Sequence, residues 1–158
     1  MGAPVESDRH ELDVIDRYII DQLTRDARMA VRALAEHAHI SRANAYARLD
    51  RLKRAGVIRG FTIRVSHDKV GLGTSAFVGL SITQNAWRGL FEHLTKLSFV
   101  DHFCLLGGDI DVLVLVRASD NKELRRVVLE ELQSLHGVLS TRTWLIFEEA
   151  DGPGTEIH

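Results

Sequence analysis

A single cysteine, Cys104, is all that the 158-residue chain offers. That rules out an internal disulfide framework and any CxxC metal site, and it fits a reducing compartment. The apolar runs are far too short to cross a bilayer and no charged-then-apolar leader precedes them, so the expectation is a cytoplasmic protein with no membrane partner. HExxH, GxSxG, Walker A and GxGxxG are all missing, which leaves zinc peptidase, hydrolase and nucleotide-binding chemistry without an anchor and points away from an enzyme. His37 and His39 are two apart with no Cys or third His nearby, so neither a metal nor another cofactor is expected. Internal repeats and low-complexity segments are also lacking.

What is present is globular in kind: 45% hydrophobic and 27% charged residues exclude a disordered or collagen-like chain. The net charge of −2 hides an asymmetry, because residues 1–65 carry 12 Lys and Arg against 9 Asp and Glu, and residues 66–158 carry 8 against 13. Only the first part suits a polyanion. A mildly acidic pI of about 6.4 does not argue against that, since the footprint of nucleic-acid binding is a basic patch and not the overall balance.

The stretch from Val31 to Phe61 organises the reading. Val31, Leu34, Ala35 and Ala38 recur at helical steps, Ile40 plugs a turn, and Ser41 is placed to cap a second helix whose buried side is Ala45, Leu49 and Leu52. Gly56 can stop that helix. Position 39, where a tight turn favours glycine, is His39, a residue type that tolerates positive φ. A preceding helix, with Leu12, Ile15, Ile19 and Leu23 on one face and Asp13 and Asp16 at its start, forms the platform; Ala30 offers no cap to the helix it precedes. Phe61, Ile63 and Val65 alternate with Thr62 and Arg64, which predicts a strand, the wing of a winged helix-turn-helix.

On the outer face of the second helix stand Arg42, Ala43, Asn44, Ala47, Arg48 and Arg51, with Lys53 and Arg54 at its end. From Ser41 to Arg64 there are seven Arg or Lys against one acid, Asp50. Small residues near the N-terminus let a helix enter a major groove about 12 Å wide, Asn and Arg can read base edges, and further cations neutralise phosphates. The expected DNA-binding set is Ser41, Arg42, Ala43, Asn44, Ala47, Arg48, Arg51, Arg54 and Arg59, and the partner is double-stranded DNA.

Residues 66–74, with Gly71 and Gly73, break both periods and form a linker. Beyond it Ala76, Val78, Leu80 and Ile82 predict a strand, and Trp87, Leu90, Phe91, Leu94 and Leu97 a helix. Two apolar runs, Phe99 to Leu106 and Ile110 to Val116, flank the hairpin signal Gly107-Gly108-Asp109. Asp120 with Glu123 reads as a capping box for a helix facing inward through Leu124, Val127, Val128, Leu132 and Leu135; Gly137 ends it, and Ser140 to Glu148 is a last strand. The order βαββαβ favours one antiparallel sheet with both helices on one face. The other face, with Phe77, Val112, Val114, Trp144 and Ile146 expected on it, needs a cover, most simply a second copy of the chain. Cys104 reads as a small core residue. The fold class is therefore α+β: a winged helix-turn-helix DNA-binding domain over residues 1–65, with a loose arm at 1–10, then the linker at 66–74, a ferredoxin-like βαββαβ domain over 75–150, and a tail at 151–158.

LDVIDRYIIDQL at 12–23, LDRLKRAGVIRGFT at 49–62, GGDIDVLV at 107–114 and TRTWLIFEE at 141–149 together resemble the leucine-responsive regulatory protein/AsnC family of bacterial and archaeal transcription regulators, also called feast/famine regulators. The resemblance covers nearly the whole chain and departs from the family pattern at Ala30 and His39. It implies a sequence-specific, nucleoid-associated regulator that forms homodimers able to assemble further, to an octamer, and that responds to a small effector, usually an amino acid. It implies that residues 75–150 sense the effector and oligomerise. Carried over by position, the effector site is Leu105, Gly107, Gly108, Asp109, Asp111, Asn121, Thr143, Trp144 and Ile146. Glycines leave backbone N–H groups open to a carboxylate, and Asp109 and Asp111, two apart on a strand, could hold an ammonium. Two other readings stay open: an enzyme on the same fold, since siroheme decarboxylases resemble this family, and an architectural chromatin protein with little sequence preference. On the leading reading, Arg48→Ala weakens DNA binding without disturbing assembly, whereas Asp111→Ala spares DNA binding and dulls the effector response.

Overall fold

The computed structural model describes residues 11–150 and Gly152. The expected arm at 1–10 and all of the tail but Gly152 lie outside these residues. The chain divides into two compact units, with the boundary between Arg64 and Val65.

The first unit holds α1 (Val14–Arg25), α2 (Val31–His37) and α3 (Arg42–Arg54). Asp13 opens α1 with a reciprocal box: its Oδ1 accepts from the Asp16 N–H at 2.8 Å, and Asp16 Oδ2 accepts from the Asp13 N–H at 3.2 Å. Ala30 gives α2 no side-chain cap. The turn between α2 and α3 passes through His39 at φ 54°, the left-handed conformation that its position demands. Ser41 Oγ accepts from the Asn44 N–H at 3.2 Å and starts α3. Ile19, Leu34, Leu49 and Leu52 are the buried core, with Ile15, Ile40 and Ile58 among the residues packed around it. Gly56 takes φ 69° just past the end of α3.

The predicted wing strand does not form. Phe61, Ile63 and Val65 belong to no strand and are exposed. Alternation supplies the side chains of a strand, but the ladder needs a second backbone, and no described segment pairs with this one.

In the second unit β1 (Thr74–Ile82), β2 (Val100–Leu105), β3 (Val112–Ala118) and β4 (Val138–Ile146) form one antiparallel sheet in the order β2-β3-β1-β4. The segment read as a linker contains a 3-10 turn, Asp68–Val70, and already enters β1 at Thr74. Helix α4 (Trp87–Leu94) and helix α5 (Asn121–Arg126), which runs on as a π-wound stretch Val127–Leu132, pack on the same face. Their Leu90, Leu94, Leu124, Val127 and Leu132 meet Ala76, Val78 and Leu80 of β1 and Val112, Val114 and Val116 of β3. The Asp120–Glu123 box is only half made. Asp120 Oδ1 accepts from the Glu123 N–H at 2.8 Å, but the Glu123 carboxylate turns to Arg126 at 2.9 Å.

Register corrects the expected open face. Val112 and Val114 are fully buried under the helices. The residues that share a face with Phe77 and Trp144 are Leu113, Leu115 and Arg117, through the pairs Phe77↔Leu115, Gly79↔Leu113, Ser75↔Arg117 and Phe77↔Trp144. The run Val112–Val116 is apolar at both parities, so alternation could not choose between its two faces. Cys104 pairs with Leu113 and lies half-buried on the open face, not in the core.

Gly79, at the centre of this face, lies beneath Ile110 and Trp144. A Cβ there would come within 2.8 Å of Ile110 Cδ1 and 2.9 Å of Trp144 Cζ3. Gly79→Ala should therefore destabilise the chain by about 2 kcal/mol in urea denaturation and alter the near-ultraviolet dichroism of tryptophan. The penalty should shrink in a Trp144→Ala background; an unchanged penalty there would contradict the packing of Trp144 on Gly79.

Candidate nucleic-acid interface and effector site

Capped by Ser41, α3 exposes Arg42, Ala43, Asn44, Ala47 and Arg54, and Arg59 is exposed beyond it. Tyr46 and Lys53 are exposed on the same helix. Lys53 was expected at the end of the outer face; Tyr46 was not, although its spacing of four from Arg42 places it on the outer half of the helix.

Arg48 and Arg51 are placed otherwise. Arg48 Nη1 lies 2.6 Å from Asp13 Oδ2 and 2.8 Å from Asp16 Oδ1, and its side chain keeps only 18% exposure. Arg51 Nη2 meets the other oxygen of Asp16 at 2.5 Å. The expectation that both point outward to DNA is thus corrected: each guanidinium is turned onto the N-terminus of α1. The cause is Asp16, which is fully buried and must be paired to stay ionised. Burial pushes its carboxyl up, but the hydrogen bonds from Arg51 and Arg48 outweigh this and hold it below the usual carboxylate range. The Asp16 N–H and then Arg48 do the same for Asp13, and Asp13 followed by Asp16 raises the Arg48 guanidinium. A hollow of about 520 Å³ lies here, lined by these groups with Glu11, Asn44, Ala47 and Arg54.

The expected effector residues do not come together in one chain. Gly107, Gly108 and Asp109 form the exposed β2–β3 turn, with Leu105 at its edge. Asp111 is in the loop and not on a strand beside Asp109; its Oδ2 accepts from the Ile82 N–H at 2.8 Å and its own N–H donates to the Leu80 carbonyl at 3.0 Å. It braces the end of β1. Trp144 and Ile146 lie on the open face, whereas Leu105 pairs with Val112, and Thr143 with Val78, on the helix side. Asn121 begins α5 beyond the far end of β3, seven residues or about 20 Å from the turn. A second groove of about 520 Å³ beside α5, lined by Lys122, Arg125, Arg126 and neighbours, holds none of the expected set.

Two arginines were missed. Arg142 pairs with Gly79 on the open face, two residues before Trp144; period-two counting back from Trp144 would have found it. Arg117, 8% exposed, bonds to Ser75, Asp101 and Glu149 and fastens the segment after β4 across the sheet. Glu149 holds the Arg117 guanidinium above, and Arg117 holds the Glu149 carboxyl below, their ordinary values. The signal was one cation closing an apolar strand. Among the described residues no group of three His, Cys, Asp or Glu side chains could hold a metal ion, and no helix is long and apolar enough to cross a membrane.

Residues 12–53 match the model of the AsnC-type helix-turn-helix domain, and residues 75–153 match that of the Lrp/AsnC ligand binding domain. The HTH-type transcriptional regulator AldR of Mycolicibacterium smegmatis is 38% identical over 155 residues, 96% of this chain and 90% of that protein. The chain belongs to the Lrp/AsnC family. It is a DNA-binding transcription regulator, as its relatives are named. The chain is also similar to the proline dehydrogenase transcriptional activator of Rhizobium radiobacter, 31% identical over 147 residues, 91% of this chain and 94% of that one. Among solved structures, the transcriptional regulator NMB0573 of Neisseria meningitidis in complex with L-Met aligns at a TM-score of 0.83 and 27% identity, covering 94% of this chain and 97% of that one.

With Arg48 paired to the buried Asp16, Arg48→Ala should cost about 3 kcal/mol of stability in the helix-turn-helix unit, measured by urea denaturation. A loss of DNA binding with unchanged stability would instead return Arg48 to the residues that contact DNA directly. Acid should act on the same cluster. Because the Asp13 and Asp16 carboxyls are lowered on folding, their contribution is complete above the ordinary carboxylate range and is lost as pH falls through their lower folded values. Thermal stability of this unit should therefore decline on acidification below about pH 4, and less steeply in Asp16→Asn.

Proposed function

We propose that this regulator reads double-stranded DNA through the outer face of α3 and answers to an amino acid bound beside the β2–β3 turn, in a site completed by a second copy of the chain. The observation that carries the reading is the uncovered sheet face: Phe77 and Trp144 remain 37% and 40% exposed over half-buried Leu113 and Leu115. Large apolar side chains left open on a central sheet are usually covered by a partner. Phe61, Ile63 and Val65, alternating and without a strand to join, favour the same partner.

For DNA, Arg42, Arg54 and Arg59 supply charge, Ala43 and Ala47 allow close approach, and Ser41, whose oxygen caps α3, keeps its hydroxyl hydrogen for a phosphate. Asn44 reads base edges. A two-fold dimer sets two such helices about 34 Å apart on a palindromic site.

For the effector, Trp144 and Ile110 over Gly79 form an apolar floor. Gly107 and Gly108 offer backbone N–H groups, Asp109 an acceptor for an ammonium, and Arg142 a cation for a carboxylate. An amino acid carries all three features, and the Neisseria regulator was solved with L-Met. Because Leu105 and Thr143 face the other side and Asn121 lies at the far end, a partner's surface is needed to gather the rest of the expected set. We read the chain as a regulator without catalysis, acting in the cytoplasm where its DNA target lies, as homodimers that can assemble to an octamer.

Affinity for a duplex selected by the protein from a random pool should fall about a thousandfold or more between 50 and 200 mM salt; salt-independent binding would refute the DNA role. A thermal-shift screen against the amino acids should find one that stabilises the protein by about 2.7 kcal/mol at a hundred times its Kd and loses its effect in Arg142→Ala. A screen in which no amino acid acts would refute the effector.

A further inference from the structure

We propose that Arg48 is the positioning residue for base reading: anchored from behind by Asp13 and Asp16, it turns the Asn44 amide so that its NH2 points out of α3 and reads a hydrogen-bond acceptor in the major groove. This rests on α3 being the helix that enters the groove.

Three contacts fix the geometry. Arg48 Nε donates to Asn44 Oδ1 at 2.8 Å, while Arg48 Nη1 reaches Asp13 Oδ2 at 2.6 Å and Asp16 Oδ1 at 2.8 Å. A guanidinium is planar and rigid, so an Nη1 held by two carboxylates dictates where Nε points. An Nε–H can bond only to an acceptor, which identifies the atom facing it as the amide oxygen and sends the amide nitrogen the other way. The backbone is fixed as well, because the Asn44 N–H donates to Ser41 Oγ at 3.2 Å. Asn44 itself is exposed at the rim of the hollow that these groups line.

The consequence is a change in what the amide can read. A free Asn pairs with adenine in both directions, accepting from N6 and donating to N7. With its oxygen turned back to Arg48, Asn44 presents a donor, which suits guanine O6 or N7, adenine N7 or thymine O4 and rejects the N4 donor of cytosine. Arg48 meanwhile is neutralised within the protein. It displaces no counterion from DNA and should not add to the salt dependence of binding, in contrast to Arg42.

The test uses the full-length protein, a duplex selected from a random pool by the wild type, and the single-base variants of that duplex, each titrated across a range of salt. Arg48→Lys, which keeps a cation for the two carboxylates, should lose about tenfold of the preference at one base pair with an unchanged slope of log affinity against log salt. Asn44→Ala should lose the same preference at the same base pair, and the double variant should lose no more than either alone. Arg42→Ala should lower the slope by about one and keep the preference. Asn44→Asp, which keeps an acceptor for Arg48 but has no outward donor, should lose the preference or turn it towards cytosine. The proposal is overturned if Arg48→Lys keeps the preference that Asn44→Ala loses, if it flattens the salt slope as Arg42→Ala does, or if Asn44→Asp reads the site as the wild type does. A wild type that selects no duplex over random DNA would overturn the recognition role of α3, and this proposal with it, at an earlier step.

Discussion

A carboxylate removed from water must find cations or lose its charge, and Asp16 finds two on another helix. That requirement ties α3 to α1 beside the apolar contacts of Ile19, Leu49 and Leu52. The same requirement divides the charge of α3. Arg48 and Arg51 are used on the inner side, where they hold the helix; Arg42, Lys53 and Arg54 remain exposed. A helix that is rich in arginine by composition is therefore only partly available to a polyanion. What it gains in return is a second set of contacts, beside the apolar ones, that sets which side of α3 faces outward.

In the second unit the corresponding constraint is one-sided burial. Alternate residues of β1 and β3 fill the space under α4 and α5, and the π-wound stretch of α5 keeps Val127, Val128 and Leu132 all turned inward. The opposite face is left with Phe77, Gly79, Leu113, Leu115 and Trp144, too apolar to be a finished surface and, beyond Ile110, covered by no other described element. Gly79 lets Ile110 and Trp144 settle onto the sheet, so the side chain of the turn and that of β4 meet over β1. The effector site proposed above is built around this contact.

Much of this was legible residue by residue. Asp13, Ser41, His39 and Gly56 announce where helices start, turn and stop because caps and positive φ act within a few residues of chain. The antiparallel sheet was legible from element order and from the Gly107-Gly108-Asp109 turn. The misreadings share one feature: each depended on a partner distant in sequence. Arg48 and Arg51 looked like solvent-facing cations until Asp16 was placed beneath them. Asp111 looked like half of an ammonium site until the Ile82 N–H was brought to it. The wing strand has its side-chain pattern and lacks a ladder.

From the amino-acid order alone came the elements, their sequence, the two-part division of charge and the family, since helix periodicity, caps and turn residues are local properties that survive without a fold. The tertiary structure alone decided which face of Val112–Val116 is buried, which arginines of α3 are taken up internally, and that Asn121 starts a helix beyond the end of β3 while Trp144 lies mid-sheet on the open face. Those outcomes depend on strand register and on the pairing of a buried charge, and both are settled only when segments far apart in the chain are packed together.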